Sequence, residues 1–331
     1  MTSTATNPLE RLADVLATDM DLVNALIRDR MASENAPRIP EITAHLIEAG
    51  GKRIRPMMTV AAARLCGYQG DAHIKLAATV EYIHTATLLH DDVVDESSKR
   101  RGKPTANLLW DNKSSVLVGD YLFARAFQMM VEPGNMRALS ILSHAAATIA
   151  EGEVLQLTAA KNLATTEATY MKVVRGKTAA LFSAATQVGP VIAGSPEAHV
   201  QALYDYGDAL GICFQIVDDY LDYGGAGDAT GKNLGDDFRE GKLTLPVIRA
   251  IAAADATELA FWERTISKGE QNDADLEVAM SLLLRHGTLE STRITALEWA
   301  ARARASLDEL PQTPLREMLA DLADFVVERV S

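Results

Sequence analysis

Two short acidic motifs stand out because each places three carboxylates at helical spacing. Both have the pattern Asp-Asp-x-x-Asp. With 24 aspartates among 331 residues, about 0.1 copies of this pattern are expected by chance, so two copies indicate a functional site. The carboxylates belong to Asp91, Asp92, Asp95, Asp218, Asp219 and Asp222.

The spacing of these carboxylates favours a bound cation. On a helix, the first and last aspartates of each motif lie one turn apart on one face, where their charges repel each other. Oxygen ligands at this density suit Mg²⁺, which keeps several waters and usually completes its shell with substrate phosphates. The motifs therefore predict a polyphosphorylated ligand bridged to the protein by metal. The alternative is a pair of solvated helix ends, which the apolar residues beside both motifs disfavour.

Two basic clusters could contact such a ligand directly. One covers residues 51–56 and the other residues 99–103, just after the first motif. Arginine offers a planar fork for phosphate oxygens, and lysine acts as a mobile point charge. A solvated loop is the alternative, but the position beside Asp95 favours phosphate binding. Residues 224–232 do not form a P-loop, because Ala226 and Asn233 stand where that motif needs Gly and Ser or Thr.

The elements that must position these residues are helices. Apolar residues recur at helical spacing along nearly the whole chain, and no segment alternates strictly, so the sequence predicts an all-α fold. We expect one domain over residues 1–331 with roughly a dozen helices. The longer helices are predicted at Leu9 to Ser33, Ile54 to Cys66, Ala72 to Asp95, Ser114 to Val131, Met136 to Leu157, Tyr170 to Val188 and Ala198 to Tyr223.

Composition excludes several classes of protein. The net charge of −13 argues against a nucleic-acid partner, and 48% hydrophobic residues exclude extensive disorder. Cys66 and Cys213 show no metal-site or disulfide-scaffold spacing, which favours a reducing compartment. No secretory signal or transmembrane segment is evident. We therefore expect a cytoplasmic protein, with a peripheral membrane contact for product release left open.

Seven motifs give the chain a resemblance to a known family. In this order they resemble the trans-isoprenyl diphosphate synthases, and most closely the long-chain, octaprenyl-type polyprenyl synthases. The motifs are GGKRIRP (residues 50–56), LLHDDVVDESSKRRGKPTAN (88–107), VGDYL (118–122), EGEVLQL (151–157), KTAALF (177–182), FQIVDDYLDY (214–223) and GKNLGDDFREGKLTLP (231–246).

The resemblance implies both a fold and an activity. The fold would be a helical bundle around a central active-site cavity, usually in a homodimer. The activity would be the Mg²⁺-dependent addition of isopentenyl diphosphate to an allylic diphosphate, with farnesyl diphosphate as the expected primer. The product would be a long all-trans polyprenyl diphosphate, octaprenyl-like, for the side chain of a quinone such as ubiquinone.

The resemblance also assigns roles to individual residues. The six aspartates would hold Mg²⁺, with Asp91, Asp95, Asp218 and Asp222 as direct ligands. The isopentenyl diphosphate contacts would be Lys52, Arg55, His84 and Arg101, and Arg53 would support them. The allylic substrate contacts would be Arg100, Lys177, Thr178, Gln215 and Lys232, of which Lys177, Thr178 and Gln215 are also the expected catalytic residues. Without the motif, His84 would be interpreted as a core histidine.

The implied chemistry is an ionisation that needs no side-chain nucleophile. Mg²⁺ and cationic side chains would stabilise the departing diphosphate, leaving an allylic cation. The double bond of isopentenyl diphosphate would then attack C1, and a proton would be lost to the released diphosphate. Because water would quench the cation, the pocket must be dry.

Small residues upstream of the first motif predict a long product. Ala86 and Thr87 lie about one helical turn before Asp91, where family members with short products tend to carry aromatic residues. We expect the floor of the product pocket, which limits the chain length, to lie deeper, at Phe127, Met129 or Met130. The alternative is that these are ordinary core residues.

Three other functions stay open. One alternative is a medium-chain, geranylgeranyl-type synthase. A class I terpene cyclase would normally lack the second complete aspartate motif and the GKRIRP segment. A non-catalytic partner subunit would usually carry degraded aspartate motifs, whereas both are complete here.

Overall fold

Helices form nearly all of the regular structure in the computed structural model, which describes residues 7–48, 50–100, 102–224 and 234–330. The all-α prediction is confirmed. The α-helices are α1 (Pro8–Val15), α2 (Ala17–Arg30), α3 (Arg38–Glu48), α4 (Ile54–Leu65), α5 (Ala72–Val94), α6 (Ala106–Leu109), α7 (Asn112–Val131), α8 (Met136–Ala159), α9 (Glu167–Val174), α10 (Ala180–Ile192), α11 (Glu197–Gly224), α12 (Asp236–Arg239), α13 (Leu245–Ala253), α14 (Ala256–Trp262), α15 (Asp275–Arg285), α16 (Thr288–Ser306) and α17 (Pro314–Glu328). π-helical turns lie at Arg175–Ala179 and Glu263–Ser267, and a 3₁₀ turn lies at Leu307–Glu309.

Helix boundaries differ from the predicted ones in three places. The helix predicted from residue 9 to 33 breaks at Leu16, between α1 and α2. The helix predicted from residue 170 to 188 contains the π-helical turn Arg175–Ala179. Helix α3 is not among the predicted helices, because its segment contains Pro40 and proline usually interrupts a helix. Pro40 lies in the first turn of α3, where a missing N–H removes no intrahelical hydrogen bond.

A small hairpin follows α5 in a segment for which no helix or strand was predicted. Strands β1 (Lys99–Arg100) and β2 (Lys103–Pro104) are antiparallel, with Lys99 opposite Pro104. Gly102 adopts φ +77°, a left-handed conformation that glycine takes without steric penalty. These are the only strands within the described ranges.

The chain divides into two compact units, which are described separately. The first unit comprises Met1–Ala146, Leu181–Gly207 and Leu307–Leu319. Its long helix α5 packs against α2, α4 and α7, and the side chains of α5 are buried along most of its length. This unit carries the first acidic motif and both basic clusters.

The second unit comprises Ala147–Ala180, Asp208–Ser306 and Ala320–Ser331. Its described core contains large apolar side chains that surround the fully buried Trp262. This unit carries the second acidic motif. A single domain over residues 1–331, built around a central cavity, stays a prediction. Throughout the described ranges, no helix is both long enough and apolar enough to cross a bilayer.

Candidate active site

The first acidic motif forms the C-terminal end of α5. The backbone N–H of Asp95 donates to the carbonyl oxygen of Asp91 at 2.8 Å, which completes the last turn. Asp92 is buried, with 1% of its surface exposed, whereas Asp91 and Asp95 are half-buried. The helix end therefore presents its two outer carboxylates and holds the middle one inside.

Arg100 of the hairpin folds back onto the buried Asp92. Its Nε and Nη2 atoms donate to Oδ1 of Asp92 at 2.9 and 2.8 Å. Burial raises the pKa of Asp92, and the bond from Arg100 opposes this rise. Oδ2 of Asp92 is also buried and accepts no hydrogen bond from any described residue. Asn107 secures the turn by donating from Nδ2 to the Asp92 carbonyl oxygen at 3.2 Å.

A small, partly open cleft lies beside this pair, within the first unit. Its walls combine basic side chains with apolar ones, and both of its carboxylates accept hydrogen bonds from arginine. Such a lining suits a small ligand with an anionic head and an apolar body. The cleft is lined by His45, Leu46, Arg53, Glu81, His84, Thr85, Leu88, Asp92, Arg100, Pro104, Thr105 and Ala106.

The first basic cluster forms the approach to α4. Gly50 adopts φ +77° and Arg53 adopts φ +50°, so the backbone here is left-handed at two positions. The guanidinium of Arg53 forms a salt bridge with the carboxylate of Glu81, and both side chains are largely buried. This pair anchors the segment to α5, while the adjacent Lys52 is exposed.

Arg55 and His84 lie together in the first unit. Nη1 of Arg55 is 3.3 Å from Nε2 of His84. The Arg55 guanidinium also lies over the ring of Phe182, 4.4 Å from its centre, in a cation–π contact. The structure thus places two of the predicted isopentenyl diphosphate contacts side by side.

The second acidic motif contains a chain of hydrogen bonds. Tyr170 of α9 donates from its hydroxyl to Oδ2 of Asp219 at 2.6 Å. Gln215 donates from Nε2 to Oδ1 of Asp219 at 2.8 Å, and Thr178 donates from Oγ1 to Oε1 of Gln215 at 2.8 Å. Burial, with the neighbouring charge of Asp237, raises the pKa of Asp219 to about 8. Both oxygens of the middle carboxylate are therefore engaged by protein groups.

The outer carboxylates of the second motif lie in different surroundings. Asp218 is half-buried, and Asp222 is 7% exposed. Oδ2 of Asp222 accepts a hydrogen bond from the backbone N–H of Asp237 at 3.1 Å, and its carbonyl oxygen accepts one from the N–H of Gly235 at 2.8 Å. Asp222 thus also anchors the segment before α12.

Lys177 and Thr178 lie in the π-helical turn Arg175–Ala179. Lys177 donates from Nζ to Oε2 of Glu153 in α8 at 2.9 Å. The backbone of this turn packs closely against α8. A Cβ added to Gly152 would lie only 2.7 Å from the backbone nitrogen of Lys177. Single π-helical turns inside helices are frequent at functional sites. The second unit thus brings together all three predicted catalytic residues.

Several predicted positions are not part of these clusters. Arg101 and Lys232 lie outside the described residues. Ala86 is fully buried in α5, and Thr87 is half-buried, with its Oγ1 donating to the His84 carbonyl oxygen at 2.8 Å. Neither Ala86 nor Thr87 lines the cleft, so their role in product length stays a prediction. Of the proposed floor residues, Met129 and Met130 are buried, whereas Phe127 is 43% exposed.

Several residues of these clusters were given no role from the sequence, among them His45, Glu81 and Tyr170. Glu81 gave a usable signal, because it is a carboxylate in an otherwise apolar part of α5, one turn before His84. His45 and Tyr170 gave none, since each acts on a residue distant in sequence.

The carboxylates of each motif fit a divalent metal whose remaining ligands come from outside the protein. Among the described residues, no three His, Cys, Asp or Glu side chains lie close enough together to hold a metal ion alone. Each motif by itself offers only oxygen donors: the half-buried Asp91 and Asp95 with the buried Oδ2 of Asp92 in the first unit, and the half-buried Asp218 with the buried Asp222 in the second. This set fits Mg²⁺, which would take its remaining ligands from water and from phosphate oxygens.

Comparison with known proteins gives consistent results. The family model described as "Polyprenyl synthetase" matches residues 36–283. The chain is 46% identical over 321 residues to octaprenyl diphosphate synthase of Escherichia coli (strain K12), covering 97% of this chain and 99% of that relative. The structure is similar to the crystal structure of a decaprenyl diphosphate synthase from Rhodobacter capsulatus, with a TM-score of 0.95 and 70% identity over 98% of this chain and 99% of that one. A polyprenyl synthase from Caulobacter crescentus CB15, complexed with calcium and isoprenyl diphosphate, gives a TM-score of 0.92 and 53% identity, covering 96% and 97% of the two chains.

Proposed function

The chain belongs to the polyprenyl synthetase family and is a long-chain trans-prenyltransferase, and we propose that it adds isopentenyl diphosphate to an allylic diphosphate, with farnesyl diphosphate as primer. One observation carries the proposal. In both acidic motifs, protein groups hold the middle aspartate inside, while the first aspartate is only half-buried. Two such carboxylate sites suit a substrate that carries a diphosphate and needs divalent metal.

We infer that the metal is Mg²⁺ and that the outer aspartates of each motif hold it. When bound, Mg²⁺ neutralises charge on the leaving diphosphate and so favours cleavage of the C–O bond. Asp92 and Asp219 would orient their motifs from inside, because each accepts hydrogen bonds from buried or half-buried neighbours. The Caulobacter polyprenyl synthase is complexed with calcium and isoprenyl diphosphate, which supports a divalent cation at this type of site.

The basic side chains would bind and orient the two diphosphates. Arg55 and His84 lie together, and with Lys52 and Arg101 they are proposed to bind isopentenyl diphosphate. Arg100, Lys177 and Lys232 are proposed to bind the allylic diphosphate. Thr178 and Gln215 would lie at the reacting carbon, where their mutual hydrogen bond fixes the direction of both polar groups. The pocket around the allylic cation would have to exclude water.

We propose an octaprenyl-type product that serves as a quinone side chain. The small side chains of Ala86 and Thr87 are proposed to leave room for a growing chain. The names of similar proteins support a long product but differ in its length, since they include octaprenyl and decaprenyl synthases. We also propose a cytoplasmic location, on the basis of the cysteine usage.

We further propose that the enzyme is a homodimer that pairs through α7. Apolar side chains are exposed along one face of this helix at helical spacing: Val116, Leu117, Phe127 and Val131. A row of this kind is typical of a protein interface. Light scattering coupled to size-exclusion chromatography would give twice the chain mass, and Leu117→Glu, whose residue is 66% exposed, would give the monomer.

The deciding experiment is incubation of the purified chain with farnesyl diphosphate, isopentenyl diphosphate and Mg²⁺, followed by product sizing. We expect a ladder ending in the octaprenyl to decaprenyl range, and none in the presence of a chelator. A geranylgeranyl end product would instead identify a medium-chain synthase. Turnover without isopentenyl diphosphate would indicate a terpene cyclase, and no turnover by the chain alone would indicate a partner subunit.

A further inference from the structure

A buried carboxylate that the proposed reaction does not use lies in the cleft of the first unit. Glu81 is on α5, is 6% exposed, and lines this cleft together with Arg53 and His84. Because Glu81 and His84 are three residues apart on one helix, their side chains lie on the same face. A carboxylate repels an anion, so its burial beside a proposed diphosphate site calls for a physical reason.

The partner of Glu81 is the guanidinium of Arg53. The two groups form a salt bridge, and both side chains are largely buried. A buried charged group is costly unless it is paired, so each of the two holds the other in place. Arg53 lies directly before α4, and the bridge therefore fixes the segment that leads into this helix to α5.

The backbone of Arg53 has a conformation that needs such support. Its φ of +50° lies in the left-handed region, which is unfavourable for a residue with a Cβ. Residues 50–53 belong to no helix or strand of the described structure, so no regular element imposes this conformation. Non-glycine residues keep strained conformations only where their surroundings fix them, as at ligand sites.

The residues on either side of Arg53 are those proposed to bind isopentenyl diphosphate. Arg55 follows it in the first turn of α4, with Nη1 3.3 Å from Nε2 of His84. Lys52 precedes it and is exposed. A different φ at Arg53 would move Lys52 relative to α4, because Lys52 lies outside the helix. The salt bridge thus governs where Lys52 lies relative to Arg55 and His84.

Building on the proposed function, we propose that Glu81 is a positioning residue for isopentenyl diphosphate. Through its salt bridge, Glu81 keeps Arg53 in the left-handed conformation. Lys52 is thereby held where its ammonium group meets a diphosphate bound by Arg55 and His84. Glu81 acts on binding through Arg53 and has no part in bond cleavage. Its pairing with arginine also offsets the repulsion that a lone carboxylate would exert on the substrate.

Two substitutions at Glu81 test this role. Glu81→Leu removes the acceptor and keeps a side chain of similar size, whereas Glu81→Gln keeps an acceptor without the charge. A hydrogen bond to a charged group corresponds to about tenfold or more in an equilibrium constant. We expect KM for isopentenyl diphosphate to rise about tenfold in Glu81→Leu and about threefold in Glu81→Gln, with kcat within about twofold of wild type. An unchanged KM in both variants would overturn the role.

A double-mutant cycle tests whether Glu81 acts through Arg53. Arg53→Met removes the guanidinium and keeps an unbranched side chain. Glu81→Gln should raise KM for isopentenyl diphosphate in the wild-type background and leave it unchanged in the Arg53→Met background. Equal effects in the two backgrounds would overturn the role. Because the cycle uses only the milder substitution at Glu81, it decides the question even if Glu81→Leu does not fold.

A matched control lies in the second unit. Asp275 is 3% exposed and accepts two hydrogen bonds from Arg264, at 2.6 and 2.8 Å. Asp275→Asn, like Glu81→Gln, replaces a buried carboxylate paired with arginine by its amide. This control should lower Tm and leave KM for isopentenyl diphosphate unchanged. If it raises KM as much as Glu81→Gln does, the cause is lost stability, and the positioning role is wrong.

Calorimetric titration keeps this test separate from the proposed function. The dissociation constant of isopentenyl diphosphate, measured without the allylic substrate, should rise in each Glu81 variant by the same factor as KM. If the wild type binds isopentenyl diphosphate without turning it over, the proposed reaction fails while these dissociation constants still decide the role of Glu81. Equal affinity in the wild type and both variants would overturn that role.

Discussion

The hydrogen bond from Tyr170 to Asp219 allows the sharpest test of the second acidic motif. Tyr170→Phe removes one oxygen atom from a buried site and leaves the apolar ring in place. The hydroxyl lies 2.6 Å from Oδ2 of Asp219, and Asp219 in turn accepts the bond from Gln215. The substitution therefore leaves one carboxylate oxygen buried without its donor and frees the carboxylate to rotate.

The expected magnitude follows from the burial of this pair. Leaving a buried acceptor unsatisfied lowers the free energy of unfolding by about 1–3 kcal/mol, which corresponds to a fall of several degrees in Tm. Rotation of Asp219 would also misplace Gln215 and Thr178, which hydrogen-bond to each other. We expect kcat for chain elongation to fall about tenfold, a change of about 1.4 kcal/mol in the barrier.

A second buried tyrosine provides the control. Tyr206 is fully buried, and its hydroxyl donates to the carbonyl oxygen of Leu319 at 2.7 Å. Tyr206→Phe should lower Tm by a similar amount with no change in kcat. Steady-state assays with labelled isopentenyl diphosphate and thermal melts on both variants make the comparison. If both variants lose stability and both keep wild-type kcat, the hydrogen-bond chain does not position Gln215 for catalysis.

Three further outcomes are expected. Ala86→Tyr should shorten the product ladder on chromatography, because a ring would replace a methyl group at a fully buried position; an unchanged ladder would refute that placement. Gly152→Ala should lower kcat about tenfold and the free energy of unfolding by about 1–3 kcal/mol. The reason is that the added Cβ would lie 2.7 Å from the backbone nitrogen of Lys177. Wild-type kcat together with wild-type stability would contradict this close contact. Burial of His73, which is 1% exposed, lowers its pKa below 6.5 despite the nearby Asp19, so the folded state favours the neutral ring. That contribution to stability is present above pH 6.5 and is lost as the pH falls below it. His73→Gln should therefore flatten the dependence of Tm on pH between about pH 7.5 and 5.5. Equal slopes of Tm against pH for the wild type and the variant would argue against this role of His73.

Features that depend on residues close together in the sequence could be predicted. The acidic motifs and the long helix α5 could be predicted, because spacing within one helix determines both. Helix α3 was hidden by Pro40, whose position in the first helical turn cannot be told from a break by residue type alone. The hairpin was hidden because two-residue strands are too short to show alternation.

Contacts across the chain were beyond the reach of the sequence. Tyr170 lies 49 positions from Asp219 and His45 lies 59 positions from Pro104, so each pairing depends on how separate elements pack. The burial of the middle aspartates was equally hidden, because the three aspartates of a motif are chemically identical in a sequence. Only packing distinguishes Asp92 from its two neighbours.

Several cations of the candidate site already have a carboxylate partner of their own. Arg100 binds Asp92, Arg53 binds Glu81 and Lys177 binds Glu153. Each pair is close to electrically neutral, so a bare diphosphate gains less attraction than the count of arginines and lysines suggests. A diphosphate that is already complexed with divalent metal brings positive charge of its own, which these neutralised pairs do not supply. We therefore expect a diphosphate complexed with divalent metal to bind this site more tightly than the metal-free anion.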